Sequence, residues 1–107
     1  MALTRDFKQS VKVRAERDAA FRQALLTEAV EQLLSGELET GKAVLRDYIN
    51  ATIGFEGLAA QTTRPAKSLH RMLSKQGNPS MDNLAAILGA LRKELGVELE
   101  AHTVKPA

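Results

Sequence analysis

Residues 55–79 constrain the fold of this chain most, because two short apolar patterns lie there on either side of a turn. The first pattern is the pair Leu58 and Ala59. The second has the spacing of three and four residues that places side chains on one face of a helix, and it consists of Leu69, Met72 and Leu73. Between the patterns, residues 62–65 are predicted to turn, since Pro65 fits the first turn of a helix. The sequence therefore predicts two short helices that cross closely at the small residue Ala59.

The outward face of the second predicted helix is basic. It carries Lys67, His70, Arg71 and, one turn further on, Lys75. No Asp or Glu occurs between Glu56 and Asp82. Exposed basic faces are most often simply solvated, but a helix with an apolar back and an acid-free basic front, placed after a tight turn, suits the major groove of DNA. The pattern therefore favours a DNA-binding helix-turn-helix.

This part of the chain resembles the phage-repressor-like helix-turn-helix regulators, the Cro/repressor or xenobiotic-response-element family. The resemblance rests on the two apolar patterns, on Gly-Asn-Pro-Ser at residues 77–80 and on Asn-Leu at residues 83–84. Within that family, residues 45–48, 67–73 and 77–79 are similar to addiction-module antidote proteins. The similarity covers residues 41–104 and implies a lambda-repressor-like DNA-binding domain.

The resemblance also implies which side chains contact DNA. The family's base-contacting positions fall on Ala66, Lys67 and Arg71. Arginine and lysine bind the O6 and N7 atoms of guanine, whereas alanine at most touches a thymine methyl group. Other positions of the family bind phosphate or flank the bases, and such contacts fix register without reading sequence. By the same resemblance these positions are Arg64, Pro65, Ser68, His70, Ser74, Lys75 and Asn78.

Two residues depart from the family pattern. Thr63 stands at the turn position where the family usually has glycine, and a β-branched residue disfavours positive φ, which leaves the geometry of the turn open. Phe55 stands where many members have a polar residue that contacts phosphate, which leaves that contact open as well.

The chain as a whole is predicted to be mainly α-helical, with five helices and one C-terminal strand. Outside the helix-turn-helix, whose second helix is expected over residues 65–75, apolar stripes of helical period predict helices at residues 10–34, 37–52 and 81–95. Residues 35–36, Ser-Gly, supply a stop for the first helix. Ser80 is a candidate cap for the last, and Gly96 ends it. This arrangement divides the chain into an N-terminal helical extension, residues 1–36, and the DNA-binding unit, residues 37–107, within one compact whole.

Residues 97–104 alternate between apolar and polar side chains, which predicts a half-buried strand. A lone strand leaves backbone groups unpaired on both edges and therefore needs a partner. Pairing with the same strand of a second copy predicts a homodimer, and the wide apolar stripe of the helix at residues 10–34 offers an alternative interface. Two recognition helices about 34–36 Å apart would match a palindromic operator.

Composition narrows the remaining classes. The chain has 107 residues with 44% hydrophobic and only 4% aromatic content, which favours aliphatic helix packing over a sheet sandwich. It contains no Cys, so disulfides and thiolate sites are excluded. Its two histidines, His70 and His102, lie in different predicted elements, and no motif for catalysis, metal binding or a cofactor is present. No signal or membrane-spanning pattern appears, so a cytoplasmic protein is expected.

Two functions follow as alternatives. The first is a sequence-specific transcriptional regulator, a repressor of the antidote type that binds double-stranded DNA. The second is an antitoxin that acts mainly by binding and neutralising a cognate toxin protein. A small basic toxin-like reading frame beside the gene would favour the antidote role, whereas a lone gene, or one among phage genes, would favour a plain transcriptional regulator.

Overall fold

The computed structural model describes the backbone of residues 5–107 and the side chains from residue 9 onward. Within this range there are six helices: α1 Arg5–Arg17, α2 Ala19–Leu34, α3 Leu38–Ala51, α4 Gly54–Thr62, α5 Ala66–Met72 and α6 Met81–Leu95. The mainly helical class is confirmed, although the count is six rather than the predicted five. None of these helices has the length and apolar character needed to cross a membrane. Residues 1–4 of the predicted N-terminal extension lie outside the described residues.

The extra helix arises because the helix predicted over residues 10–34 is broken at Asp18. The backbone of Asp18 is extended, with φ −125° and ψ 101°, and its carboxylate accepts a hydrogen bond of 3.1 Å from the backbone N–H of Phe21. An Asp at this position satisfies one of the N–H groups that a helix start leaves unpaired. Arg14 reinforces the corner, since its guanidinium lies 4.5 Å from the centre of the Phe21 ring. Helical periodicity continues on both sides of the break and therefore did not reveal it.

Helices α2 and α3 form the most extensive helix contact. Gly36, with φ +83°, ends α2 as predicted. Gly41 lies against α2, because a Cβ there would lie 2.7 Å from Cδ2 of Leu33 and 3.1 Å from its backbone nitrogen. The helix pair therefore depends on a glycine at this crossing.

The hydrophobic core lies where α2, α3, α4, α5 and α6 meet. Its largest fully buried side chains are Leu26, Leu45, Tyr48, Ile49, Leu58, Leu69, Leu73, Ile87 and Leu91. The apolar pattern predicted for the helix-turn-helix is thus buried, with Ala59 and Met72 packed against the core. Tyr48 is a core residue, and burial raises its pKa, with a further rise from Glu94 and opposing effects from Arg22 and Thr52.

The end of the chain differs from the prediction. The start and end of α6 agree with it, because Ser80 accepts a hydrogen bond of 3.1 Å from the N–H of Asn83 and Gly96 adopts φ 72°. Residues 97–104, however, form no strand, and the described range contains no strand at all. Leu99 packs against the core, whereas residues 100–107 are exposed. Alternation predicted a strand, but a strand needs a neighbour to pair its backbone, and no segment of the described chain provides one.

Candidate nucleic-acid interface

The turn between α4 and α5 keeps a left-handed residue although it lacks glycine. Thr63 ends α4 with φ 54° and ψ 35°, and its hydroxyl donates to the carbonyl of Thr62 at 2.6 Å. Pro65 follows in an extended conformation and accepts the first hydrogen bond of α5, from the N–H of Leu69 at 3.1 Å. A β-branched residue in this region is strained. The turn geometry that Thr63 left open is therefore the left-handed one.

The segment at residues 65–75 has a buried back and an exposed front. Leu69 and Leu73 are fully buried, whereas Lys67, His70, Arg71 and Lys75 are exposed. The helix ends at Met72, so α5 is shorter than the predicted segment 65–75 and Lys75 lies in the turn that follows. The basic front still presents cations from both the helix and this turn.

Two of the three predicted base-contacting residues, Lys67 and Arg71, lie one turn apart on this front. Lys67 and Arg71 are four residues apart, a spacing that brings side chains together on one helix face. Neither side chain forms a hydrogen bond, ion pair or ring contact within the described part of the chain. Ala66 is half-buried and packs against the core. The front therefore holds two neighbouring cations whose donors are available to a ligand, beside a small residue that permits close approach.

Several predicted phosphate-contacting residues surround this pair. Arg71, Ser74 and Asn78 line one open depression of about 420 Å³ at the end of α5. The hydroxyl of Ser74 donates to the carbonyl of Arg71 at 2.7 Å, so its proton is already engaged while its oxygen can still accept. Ser68 is half-buried, and Pro65 is exposed at the helix start. The structure thus brings Arg71, Ser74 and Asn78 together at one depression.

Arg64 is held within the protein. Its Nε donates to Oδ1 of Asn83 at 2.6 Å, and its NH1 donates to the carbonyl of Thr62 at 2.9 Å. These bonds connect the turn to the first residues of α6. Arg64 keeps its charge near the basic front, but part of its hydrogen-bonding capacity is used to brace the turn.

His70 makes a contact that the sequence did not reveal. Its ring stacks on that of Phe55, with centroids 3.8 Å apart and planes inclined by 20°. Phe55 is only 5% exposed. The aromatic pair therefore joins the start of α4 to α5.

Sequence reasoning also missed two cations on α3. Lys42 is 7% exposed, and its Nζ donates to the carbonyls of Lys75 and Gly77. Arg46 donates through NH1 to the carbonyl of Leu73. A signal was present, because Lys42 precedes Leu45 by three residues and therefore falls on the inward stripe of its helix. A lysine on such a stripe indicates a buried partner.

The described residues contain no group of three or more His, Cys, Asp or Glu side chains that could hold a metal ion. Comparison with known proteins finds no family model, no curated protein and no solved structure that matches this chain. The interpretation of this surface therefore depends on its own residues and geometry.

Proposed function

We propose that this chain is a sequence-specific DNA-binding transcriptional regulator, a cytoplasmic repressor of the antidote type that inserts α5 into the major groove. The observation that carries the proposal is the pair Lys67 and Arg71, which is exposed and makes no hydrogen bond, ion pair or ring contact with the described residues. The pair lies in a segment without Asp or Glu, on a helix whose opposite face consists of buried leucines. If the cations of α5 were merely solvated, the helix would not need the tight turn that precedes it between α4 and α5. Major-groove binding requires both the helix and its exposed donors.

In the proposed complex, the two cations differ in their roles. The planar guanidinium of Arg71 forms a bidentate contact with O6 and N7 of guanine, and Lys67 approaches the same kind of acceptor as a point charge. Ala66 lies close enough to the groove to contact a thymine methyl group. Sequence preference then comes from these few contacts.

The surrounding residues bind the backbone of the duplex. Lys75 supplies charge, and Ser74 and Asn78 line the depression beside Arg71 into which a phosphate would fit. Ser68 and His70 flank the base-contacting pair, and Arg64 adds charge from the braced turn. Contacts of this class fix register and contribute affinity that falls with salt concentration.

The proposed regulator acts as a homodimer, because one short helix contacts too few base pairs to select a single site. Of the two interfaces considered, the N-terminal stripe is largely used within the chain: Leu26 and Ala29 are buried, and Leu25 and Val30 pack against the core. In the other, the segment at residues 97–104, residues 100–104 are exposed, with Val104 82% exposed, and this part is available for pairing between copies. Light scattering should give a dimer for the full chain and a monomer for a chain cut after Gly96. A monomeric full chain at micromolar concentration would refute the dimer, and a dimeric truncated chain would move the interface elsewhere.

The proposed function is tested by binding to the DNA upstream of the protein's own gene, with unrelated DNA as competitor. Fluorescence anisotropy should show that the protein binds the upstream fragment and that unrelated DNA at equal concentration does not displace this fragment. The double variant Lys67→Ala with Arg71→Ala should abolish this preference. Lys12→Ala provides the matched control, because Lys12 is an exposed cation on α1.

Equal affinity for both DNAs, or no binding to either, would contradict the proposal. In that case the alternative is an antitoxin that works by protein binding alone. Co-purification of the chain with the product of a neighbouring toxin-like reading frame would then be the deciding observation.

A further inference from the structure

The ammonium group of Lys42 is buried against the backbone that follows α5. Lys42 is 7% exposed, and its Nζ donates to the carbonyl of Lys75 at 3.2 Å and to that of Gly77 at 2.6 Å. Burying a charge costs free energy unless hydrogen bonds replace its hydration. The two carbonyls provide those bonds, so this part of the turn is tied to α3.

Arg46 extends the same contact by one helical turn. It lies four residues after Lys42, on the same face of α3, and its NH1 donates to the carbonyl of Leu73, the C-cap residue of α5. The side chains of Lys42 and Arg46 therefore donate hydrogen bonds to the backbone carbonyls of three alternate residues, Leu73, Lys75 and Gly77. Carbonyls at a helix C-terminus carry partial negative charge and favour cations.

Gly77 packs the returning backbone against the end of α5. A Cβ at this position would lie 1.9 Å from the carbonyl oxygen of Arg71 and 2.6 Å from that of Met72. The backbone of Arg71, whose side chain forms the centre of the basic front, is therefore enclosed from behind by the turn that Lys42 holds.

We propose that Lys42 and Arg46 are positioning residues for DNA recognition, which together fix the C-terminal end of α5 and thereby aim Arg71 and Lys75. This inference rests on the proposed function. A helix of seven residues has little stability of its own and takes its orientation from its contacts. Leu69 and Leu73 hold its back by non-directional burial, whereas the bonds from α3 are directional and fix the helix along its axis.

The expected consequence is greater for specificity than for affinity. A bidentate contact between arginine and guanine requires the guanidinium to be held within about 0.5 Å of its productive position. Attraction between Lys75 and a phosphate tolerates larger shifts, because it depends mainly on charge. Loosening the end of α5 should therefore reduce discrimination between DNA sequences before it reduces binding to DNA in general.

The test uses three variants of the full chain. Lys42→Met keeps a long flexible side chain but removes the donors, Lys42→Arg retains donors, and Lys67→Met makes the same chemical change on the exposed front. Two quantities are measured for each variant: backbone amide exchange in the free protein, and affinity for the DNA upstream of the gene relative to unrelated DNA.

In the clamped turn, the N–H of Ser74 donates to the carbonyl of Arg71 and the N–H of Gly77 donates to the carbonyl of Ser74. Lys42→Met should accelerate hydrogen exchange at these two amides about tenfold. Exchange at the buried Leu91 of α6 should not change. The ratio of affinities for upstream and unrelated DNA should fall about tenfold, with affinity for unrelated DNA nearly unchanged. Lys42→Arg should restore much of both quantities, and Lys67→Met should weaken DNA binding without altering exchange.

Unchanged exchange at Ser74 and Gly77 in Lys42→Met would overturn the clamp. Faster local exchange with an unchanged affinity ratio would overturn the positioning role. If Lys42→Met fails to fold, Arg46→Met decides by the same two measurements, since Arg46 is only partly buried and makes one of the three bonds. If the unaltered chain does not prefer its upstream DNA, the proposed function fails and aiming at DNA fails with it, while the exchange results still decide whether α3 holds the end of α5.

Discussion

The left-handed residue in the turn provides a direct test of the helix-turn-helix geometry. Thr63 has φ 54° and is the only non-glycine residue with positive φ in the described range. Left-handed backbone costs an L-residue about 1–2 kcal/mol, because its Cβ approaches the following carbonyl. Glycine avoids that cost but loses about 0.5–1 kcal/mol through its greater freedom in the unfolded chain. The Thr63 side chain is exposed, and its single hydrogen bond runs to the adjacent residue, so little else is lost.

Thr63→Gly should therefore stabilise the protein by about 0.5–1 kcal/mol. For a domain of this size the midpoint of thermal unfolding should rise by roughly 2–4 °C. Urea denaturation followed by circular dichroism measures the free energy, and the slope with urea should stay constant, because the amount of buried surface does not change.

Gly96→Ala is the matched control of opposite sign. Gly96 has φ +72°, and a Cβ there meets no atom within 4 Å, so the substitution isolates the cost of the backbone conformation. It should destabilise the protein by about 0.5–1 kcal/mol, because the left-handed backbone costs alanine more than alanine gains from its smaller freedom in the unfolded chain. If Gly96→Ala loses stability while Thr63→Gly gains none, Thr63 is not left-handed in solution, and the geometry described for the turn between α4 and α5 is wrong.

Three further outcomes are expected. Arg71→Ala should cost about 1–3 kcal/mol in operator binding and relax specificity at one base pair. Lys75→Ala should weaken binding to all DNA sequences alike and lower the slope of affinity against salt concentration by about one. Binding measured at several salt concentrations checks both, and unaffected binding of both variants would refute the assigned front. Asp18→Ala should destabilise the protein by about 1 kcal/mol in urea, since it removes the cap that starts α2, and no loss would mean that the break is set by other contacts. Because burial raises the pKa of Tyr48 above 10.0, the folded chain holds the phenolic proton more tightly than the unfolded chain, and this contribution to stability is present below about pH 10 and is lost as the pH rises further. Tyr48→Phe should flatten that alkaline decline, and an unchanged decline would exclude Tyr48 as its source.

The elements that sequence patterns predicted well are those with local signals. The helix at residues 81–95 has a serine cap, an apolar stripe and a terminal glycine, and its bounds agree with those of α6. The apolar residues of the helix-turn-helix are spaced at three and four, and Leu58, Leu69 and Leu73 are fully buried. In each case the residues that determine the element lie within one or two helical turns of each other, so the sequence contains the necessary information.

The features that escaped prediction depend on groups distant in the chain or on competition between conformations. The alternation at residues 97–104 is compatible with any extended segment, and a strand forms only where a second strand pairs with it. Asp18 is acceptable on the surface of a continuous helix, and only its capping bond distinguishes a break. The place of Lys42 on the inward stripe of α3 indicates burial, but its two acceptors lie 33 and 35 positions away in the chain, and no local pattern identifies them.

Helix α3 connects the N-terminal helices to the proposed DNA-binding front. Gly41 lies against Leu33 of α2, and the next residue, Lys42, reaches the turn behind α5. Contact with α2 therefore fixes α3, and α3 in turn holds the segment that carries Lys75. The formal net charge of the chain is only +2, which provides little long-range attraction to DNA, so the proposed recognition depends on a few well-held cations. On this reasoning residues 5–34 contribute to recognition through support of α3, and their direct contact with DNA is not required.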